Sequence, residues 1–245
     1  MVEFIGDQVI YYDVGNFMSI FITGDIHGYP IRLADENLDK KLISFGKSDK
    51  LIICGDFGLP WYNDEEDFQC LEWLSKRPFE ILFIDGNHEN FDLLNSFPTE
   101  KRYGGQVHKI RDNVYHLMRG EVYVIEDRSF FAFGGASSYD KNLRERHISW
   151  WAEEVFNKEE KENAFSNLDR VGFAVDYVIT HTAPQRFVEP LLVHLQDVSS
   201  CPVATFLEEL SYKINWGKWY FGHFHIDRSI DDKITCMYEQ IEKLK

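Results

Sequence analysis

The stretch Ser19-Ile20-Phe21-Ile22-Thr23-Gly24-Asp25-Ile26-His27-Gly28 sets the reading of the whole chain. An apolar run with β-branched residues breaks off at Gly-Asp-x-His-Gly, the pattern of a buried strand that ends in a turn. Asp25 and His27 stand two residues apart, so in extended backbone their side chains share one face. A carboxylate oxygen and an imidazole nitrogen placed this way can converge on one metal ion.

The construction recurs along the chain. Leu51-Ile52-Ile53-Cys54 runs into Gly55-Asp56-Phe57-Gly58, and Ile81-Leu82-Phe83-Ile84-Asp85 into Gly86-Asn87-His88-Glu89. Tyr177-Val178-Ile179-Thr180 then meets His181, and Trp219-Tyr220-Phe221 meets Gly222-His223-Phe224-His225. Each of these short apolar runs stops at a residue with an oxygen or nitrogen donor. Strands of one sheet whose carboxyl ends share an edge bring such tips together, and ligand sites of α/β proteins lie at that edge.

Between the first motifs, Ile31, Ala34, Leu38 and Leu42, and then Phe68, Leu71 and Leu74, recur at helical spacing, which gives a parallel α/β rhythm. The rhythm changes between Glu89 and Thr180. Val114-Tyr115-His116-Leu117, Val122-Tyr123-Val124-Ile125 and Phe130-Phe131-Ala132-Phe133 read as a meander, with breaks at Arg119-Gly120 and Asp127-Arg128. The charged segment 149–167 reads as a helix with Trp151, Val155 and Phe165 inward, and Val203, Phe206, Leu207, Leu210 and Ile214 form a core stripe. The tail after Asp227 is expected to close the second sheet. Val9-Ile10-Tyr11-Tyr12 reads as an edge strand within residues 1–18, an N-terminal extension if Met18 is the natural start.

With 245 residues, no linker-like stretch and no repeat, a single domain over 1–245 is expected. The formal net charge of −15 repels phosphate backbones and disfavours long duplex nucleic acid as a partner. A small phosphorylated substrate is compatible with it, because bound metal ions supply a local positive field. Cys54, Cys70, Cys201 and Cys236 form no C-x-x-C pair, and the amino terminus is not basic-then-apolar, so reduced thiols in the cytoplasm are expected. No run is long enough to span a bilayer. P-loop, serine-hydrolase and zincin motifs are absent.

Taken in order, Gly24-Asp25-Ile26-His27-Gly28, Gly55-Asp56, Gly86-Asn87-His88-Glu89, His181 and Gly222-His223-Phe224-His225 resemble the calcineurin-like metallophosphoesterase superfamily, in its bacterial and phage form. The resemblance implies an α/β fold: a four-layer αββα sandwich of two mixed β-sheets flanked by helices, with the metal site at the carboxyl ends of the strands. It implies a metal-dependent phosphoesterase that hydrolyses a monoester or diester by attack of a metal-bridging hydroxide. Two divalent ions are implied, the first held by Asp25, His27 and His225, the second by Asn87, His181 and His223, with Asp56 bridging. The imidazole-rich donors suit manganese, iron, zinc, nickel or cobalt better than magnesium or calcium; of these, manganese is the ion expected.

His88 matches the family's catalytic histidine, which protonates the leaving oxygen or stabilises charge on the phosphoryl group. The second block continues Phe-Gly-Leu-Pro-Trp, without the Asp-Arg-Gly of protein phosphatases, so the residues that orient that histidine and grip phosphate there have no counterpart, and a phosphoprotein substrate is disfavoured. A further stretch, Gly134-Gly135-Ala136-Ser137-Ser138-Tyr139-Asp140-Lys141, leads to Arg144 and Arg146. It reads either as backbone approaching a ligand with Arg144 or Arg146 on the substrate, or as a glycine turn before a charged helix. His108, His116, His147 and His194 are expected at surface or satisfied core positions. Other readings are a nuclease acting on short nucleic acid ends, and a silent scaffold of the same fold that binds proteins. The scaffold predicts missing ligands, whereas all seven positions are filled.

Overall fold

A computed structural model describes residues 18–41, 43–191 and 201–244, and the backbone of a separate hairpin formed by β1 (Val2–Ile5) and β2 (Gln8–Tyr11). The strand expected near the amino terminus is β2, paired with β1; Tyr12, Leu42 and His194 lie outside the described residues.

The first half of the chain alternates strands and helices: β3 (Ile20–Thr23), α1 (Asp35–Lys40), β4 (Lys50–Ile53), α2 (Glu65–Ser75), β5 (Glu80–Phe83) and α3 (Phe91–Leu94). Three strands follow, β6 (Thr99–Arg102), β7 (Gly105–Arg111) and β8 (Val114–Leu117), and then the hairpin β9 (Glu121–Ile125) and β10 (Arg128–Phe133). After α4 (Lys158–Arg170) come β11 (Ala174–Thr180), α5 (Gln185–Val188), α6 (Pro202–Ser211) and β12 (Asn215–Phe221). The described chain closes with β13 (Arg228–Ser229), β14 (Ile234–Cys236) and β15 (Glu242–Lys243).

These strands build two mixed sheets. One has seven strands in the order β15-β3-β4-β5-β8-β7-β6, parallel from β3 through β8; the other has six in the order β13-β14-β12-β11-β10-β9, parallel from β10 through β14. Alternation along each strand divides the apolar side chains between layers. Ile20, Ile22, Ile52 and Leu82 meet Tyr123, Phe130, Tyr177 and Ile179 between the sheets. Phe21, Leu51, Ile53 and Ile81 turn outward to Leu71 and Leu74 of α2, while Phe131, Val178 and Trp219 turn to Leu168 of α4 and Leu207 of α6. The result is the αββα sandwich, with one core between the sheets and one under each helical layer.

Several local expectations are corrected. The five donor tips come from both sheets rather than one: β3, β4 and β5 belong to the seven-stranded sheet, β11 and β12 to the six-stranded one. The three β-rich runs are no meander, because β8 pairs in the first sheet and the chain crosses at 118–120 to the β9–β10 hairpin of the second. Residues 149–157 are not helical except for a one-turn 3-10 segment; α4 starts at Lys158, where Asn157 and Glu160 form a reciprocal capping box with bonds of 2.9 and 2.7 Å. Trp151 is nonetheless fully buried, its indole N–H donating to Asp92 at 2.8 Å. Leu71 and Leu74 face the core, but Phe68 and Ile31 are exposed. The tail does close the second sheet through β13 and β14, and it also returns to the first, where β15 pairs antiparallel with β3.

Candidate metal centre

Five of the parallel strands release the chain at the same end of the sandwich, into loops that carry the donors. Asp25 follows β3, Asp56 follows β4, Asn87 follows β5, His181 follows β11, and His223 and His225 follow β12. The backbone is not extended here, contrary to the spacing argument for Asp25 and His27. His27, Asp56, His223 and His225 have φ of 47°, 49°, 69° and 52°, in the left-handed region that non-glycine residues enter at a cost of about 1–3 kcal/mol each. Such strain persists only where neighbours over-determine it, and they do. Ile26 and His27 donate their N–H groups to the Asp56 carbonyl at 3.1 and 2.8 Å, and the His223 N–H donates to the Asp25 carboxylate at 3.0 Å.

The motif glycines make room for donors from other loops. A Cβ on Gly86 would lie far inside contact distance of Asp56 Oδ1, one on Gly222 of Asp25 Oδ1, and one on Gly55 of His181 Nδ1. The blocks interlock, each leaving out a side chain where a neighbour's donor passes.

Two groups of donors result. In the first, His27 Nε2 and His225 Nε2 are 2.8 Å apart, His225 Nε2 is 3.2 Å from Asp25 Oδ2, and His27 Nε2 is 3.6 Å from Asp56 Oδ2. The ligand atoms of Asp25, His27, Asp56 and His225 all lie within 4.8 Å of one another. Two imidazole nitrogens and two carboxylate oxygens aimed at one point suit a divalent cation of the transition series. In the second, His181 Nδ1 stands 2.8 Å from the Cys54 carbonyl and so carries the proton, which leaves the Nε2 lone pair facing Asn87 Oδ1 at 3.1 Å and Asp56 Oδ1 at 3.2 Å. Three acceptors converge there, an arrangement that needs a cation or a proton at its centre. The His223 ring packs edge-on against His181, centroids 4.9 Å apart. Asp56 belongs to both groups, one carboxylate oxygen to each.

The electrostatics follow from this packing. Burial pushes the Asp56 carboxyl up, but the adjacent His181 outweighs it and holds Asp56 well below the usual carboxylate range. Burial likewise pulls His181 down, and Asp56 overrides it to hold the imidazole at about 10. With no ion between the acceptors, Nε2 therefore carries a proton as well, and it becomes a ligand only when an ion takes that proton's place. His223, buried and beside His181, is pushed down to about 3. His27 is lowered by burial against the pull of Asp56, while the hydrogen bond to Asp25 raises His225.

His88 is tied to the centre by its backbone, whose N–H donates to Asp56 Oδ1 at 2.8 Å, and its ring lies 5.2 Å from that of His27. Burial lowers its imidazole, with Asp56 opposing and Arg144 adding to the shift. The structure brings Arg144 onto His88, Nη1 standing 3.2 Å from Nδ1, with the guanidinium anchored by Asp140 at 2.7 Å. Arg146 is exposed and has none of these contacts among the described residues.

Three supporting residues escaped the sequence reading. Ser138 Oγ accepts the Asn87 amide N–H at 3.1 Å and so turns Asn87 Oδ1 toward His181. Glu89 accepts the N–H groups of Phe57, Gly58 and Gly86 at 2.8, 3.0 and 3.3 Å, fixing two donor loops against each other. Tyr238 stacks on His225 at 4.7 Å. Glu89 adjoins His88 in its motif and Ser138 sits in the glycine-rich stretch, so both were within quoted segments; nothing in the sequence pointed to Tyr238.

The model of the calcineurin-like phosphoesterase family matches residues 18–227. No curated protein matches the chain in sequence. Among solved structures the chain is similar to a Staphylococcus aureus protein assigned as a 5'-nucleotidase and determined with alpha-ketoglutarate, at 14% identity and a TM-score of 0.46. The match covers 92% of this chain and 50% of that one, so the chain spans about half its length. A phosphopantetheinyl hydrolase from Mycobacterium tuberculosis is similar at 16% identity and a TM-score of 0.43, covering 92% of this chain and 89% of that one. With the family model spanning all five donor loops, the chain belongs to the calcineurin-like phosphoesterase family.

Proposed function

We propose that this chain is a dinuclear metal-dependent hydrolase of a small phosphorylated substrate, a monoester or a diester. Asp25, His27 and His225 would hold one ion, Asn87, His181 and His223 the other, and Asp56 would be shared. The observation that carries this reading is the divided carboxylate of Asp56, 3.6 Å from His27 through Oδ2 and 3.2 Å from His181 through Oδ1. Divalent ions bound there supply Lewis-acid polarisation of phosphoryl oxygens and a water acidic enough to ionise near neutral pH.

The chain's own residues supply the rest. His181, its Nδ1 proton fixed on the Cys54 carbonyl, presents Nε2 as a ligand in one tautomer. His88 stands at the opening beside His27 and gives a proton or hydrogen bond to the leaving oxygen. Arg144, packed on His88, adds a fixed positive charge for the phosphoryl oxygens and fills the role left without a counterpart by the missing Asp-Arg-Gly. The mixed imidazole and oxygen donors suit a first-row transition ion such as manganese, iron, zinc, nickel or cobalt. The four free thiols favour the cytoplasm, and among the described residues no helix is long and apolar enough to cross a membrane. The net charge of −15 turns long duplex nucleic acid away.

A colorimetric screen of nitrophenyl monoesters and diesters against manganese, iron, zinc, nickel and cobalt tests the proposal; a metal-loaded protein that hydrolyses neither class overturns it. His88→Ala is expected to keep its metal and to lose about 10²–10⁴-fold in turnover, the usual contribution of a positioned acid. Unaltered turnover removes His88 from the chemistry.

A further inference from the structure

The opening in front of His27 and His88 continues into a cavity of about 320 Å³ walled by Tyr29, Trp61 and Tyr62. Its size is that of a small-molecule site. Tyr29 and Tyr62 are 73% and 74% exposed and, with Tyr212, are the most exposed aromatic side chains among the described residues. The loop that carries Trp61 and Tyr62 is nonetheless held rigidly. The buried carboxylate of Asp67 accepts the N–H groups of Trp61, Tyr62 and Asn63 at 2.8, 2.6 and 2.6 Å, and Asn90 donates to the Trp61 carbonyl at 2.7 Å. The Trp61 ring is braced edge-on by the buried Trp151, 5.4 Å away. The fixed backbone under Trp61 and Tyr62 removes the loop-ordering part of the cost of binding, leaving the rotation of the exposed rings to be settled by the ligand.

The charge of the walls selects further. Asp64, Glu66 and Asp67 line the cavity, and no lysine or arginine does so among the described residues. A leaving group with a second phosphate or a carboxylate is repelled; an uncharged planar ring is not. We infer that this cavity receives the leaving group of the substrate, and that the leaving group bears an uncharged aromatic ring, as in a nucleoside, stacked on Tyr29 and Tyr62. The inference rests on the phosphoesterase reading, since it takes the His88 side of the centre as the side from which the alcohol departs.

The test is binding of the bare alcohol by saturation-transfer NMR, with and without manganese, using adenosine, benzyl alcohol and ribose as probes. Adenosine is expected to bind and ribose to fail. Tyr29→Ala and Tyr62→Ala, both at exposed positions and so without threat to folding, each weaken adenosine by about 5-fold or more, the loss of one stacking contact. Tyr212→Ala, equally exposed but away from the cavity walls, leaves adenosine binding unchanged. Benzyl alcohol competing with adenosine in a tyrosine-dependent way supports the ring itself as the recognised feature; adenosine binding without such competition supports a nucleoside. Ribose bound as well as adenosine, or adenosine affinity that survives both tyrosine substitutions, overturns the inference. Because binding needs no turnover, intact tyrosine-dependent binding without ester hydrolysis counts against the phosphoesterase reading alone. Hydrolysis without such binding counts against this inference alone.

Discussion

Gly86 has no space for a methyl group, since the position of its Cβ belongs to Asp56 Oδ1. Gly86→Ala must therefore displace the carboxylate that both donor groups share and, with it, the Asp56 backbone nitrogen, which also lies far inside contact distance of the added carbon. We expect such a protein to fold but to bind its metal about 10–100-fold more weakly, the range seen when a ligand loses its orientation; metal content after gel filtration checks this. Ser138 acts one step further out, on the amide of Asn87. Ser138→Ala frees that amide to turn its N–H groups toward His181, and a similar loss is expected for the second ion, with the first retained. Metal stoichiometry that stays at the unsubstituted value in Ser138→Ala refutes this orienting role. The donors themselves were legible because their chemistry is local: a carboxylate or imidazole at the end of an apolar run declares itself. Ser138 and Tyr238 were not, because a hydroxyl or a ring becomes part of a centre only through what folds against it.

At the scale of elements, β7 and β8 carry a buried histidine pair in register, His108 opposite His116, with Nδ1 atoms 3.0 Å apart and His116 Nε2 bonded to Asp85 at 3.1 Å. Burial, aided by His116, pushes His108 down to about 4 from 6.5. The unfolded chain therefore binds a proton between pH 6.5 and 4 that the folded chain refuses. This contribution to stability is complete above about 6.5 and is lost as pH falls through the window. Glu154, raised by burial to about 7 from 4.5, works in the opposite sense: the folded chain keeps a proton that the unfolded chain releases, so acidification from 7 to 4.5 favours folding. Between pH 6.5 and 5, the drop in Tm should be smaller in His108→Phe and larger in Glu154→Gln than in the unsubstituted protein. Thermal unfolding at the two pH values decides it, and parallel profiles for all three proteins refute both assignments. The boundary of α4 belongs to this scale as well. The charges of 149–157 resemble those of the helix that follows, but the chain there is spent on burying Trp151, and helix begins only where Asn157 can cap it.

Over the whole molecule, the centre spans the junction of the two sheets. Asp25, His27, Asp56 and Asn87 come from the seven-stranded sheet, and His181, His223 and His225 from the six-stranded one. An ion bound by donors of both sheets would strengthen a junction that apolar packing and hydrogen bonds such as Tyr123 Oη to the Gln106 carbonyl (2.6 Å) already hold, and it would bind the folded chain alone. Stripping with a chelator should lower Tm, and free metal at 100 times its Kd should restore about 2.7 kcal/mol. A Tm indifferent to chelation and to added manganese contradicts a centre shared between the sheets.

The five apolar runs with their donors were enough to specify the family and the layered architecture, because strand periodicity and donor chemistry are written in consecutive residues. Three matters waited for the tertiary structure: which sheet each run joins, the left-handed turns that aim His27 and Asp56, and the meeting of Arg144 with His88. Each depends on contacts between segments far apart in the chain, Arg144 and His88 being 56 residues distant, and such contacts leave no local pattern to read.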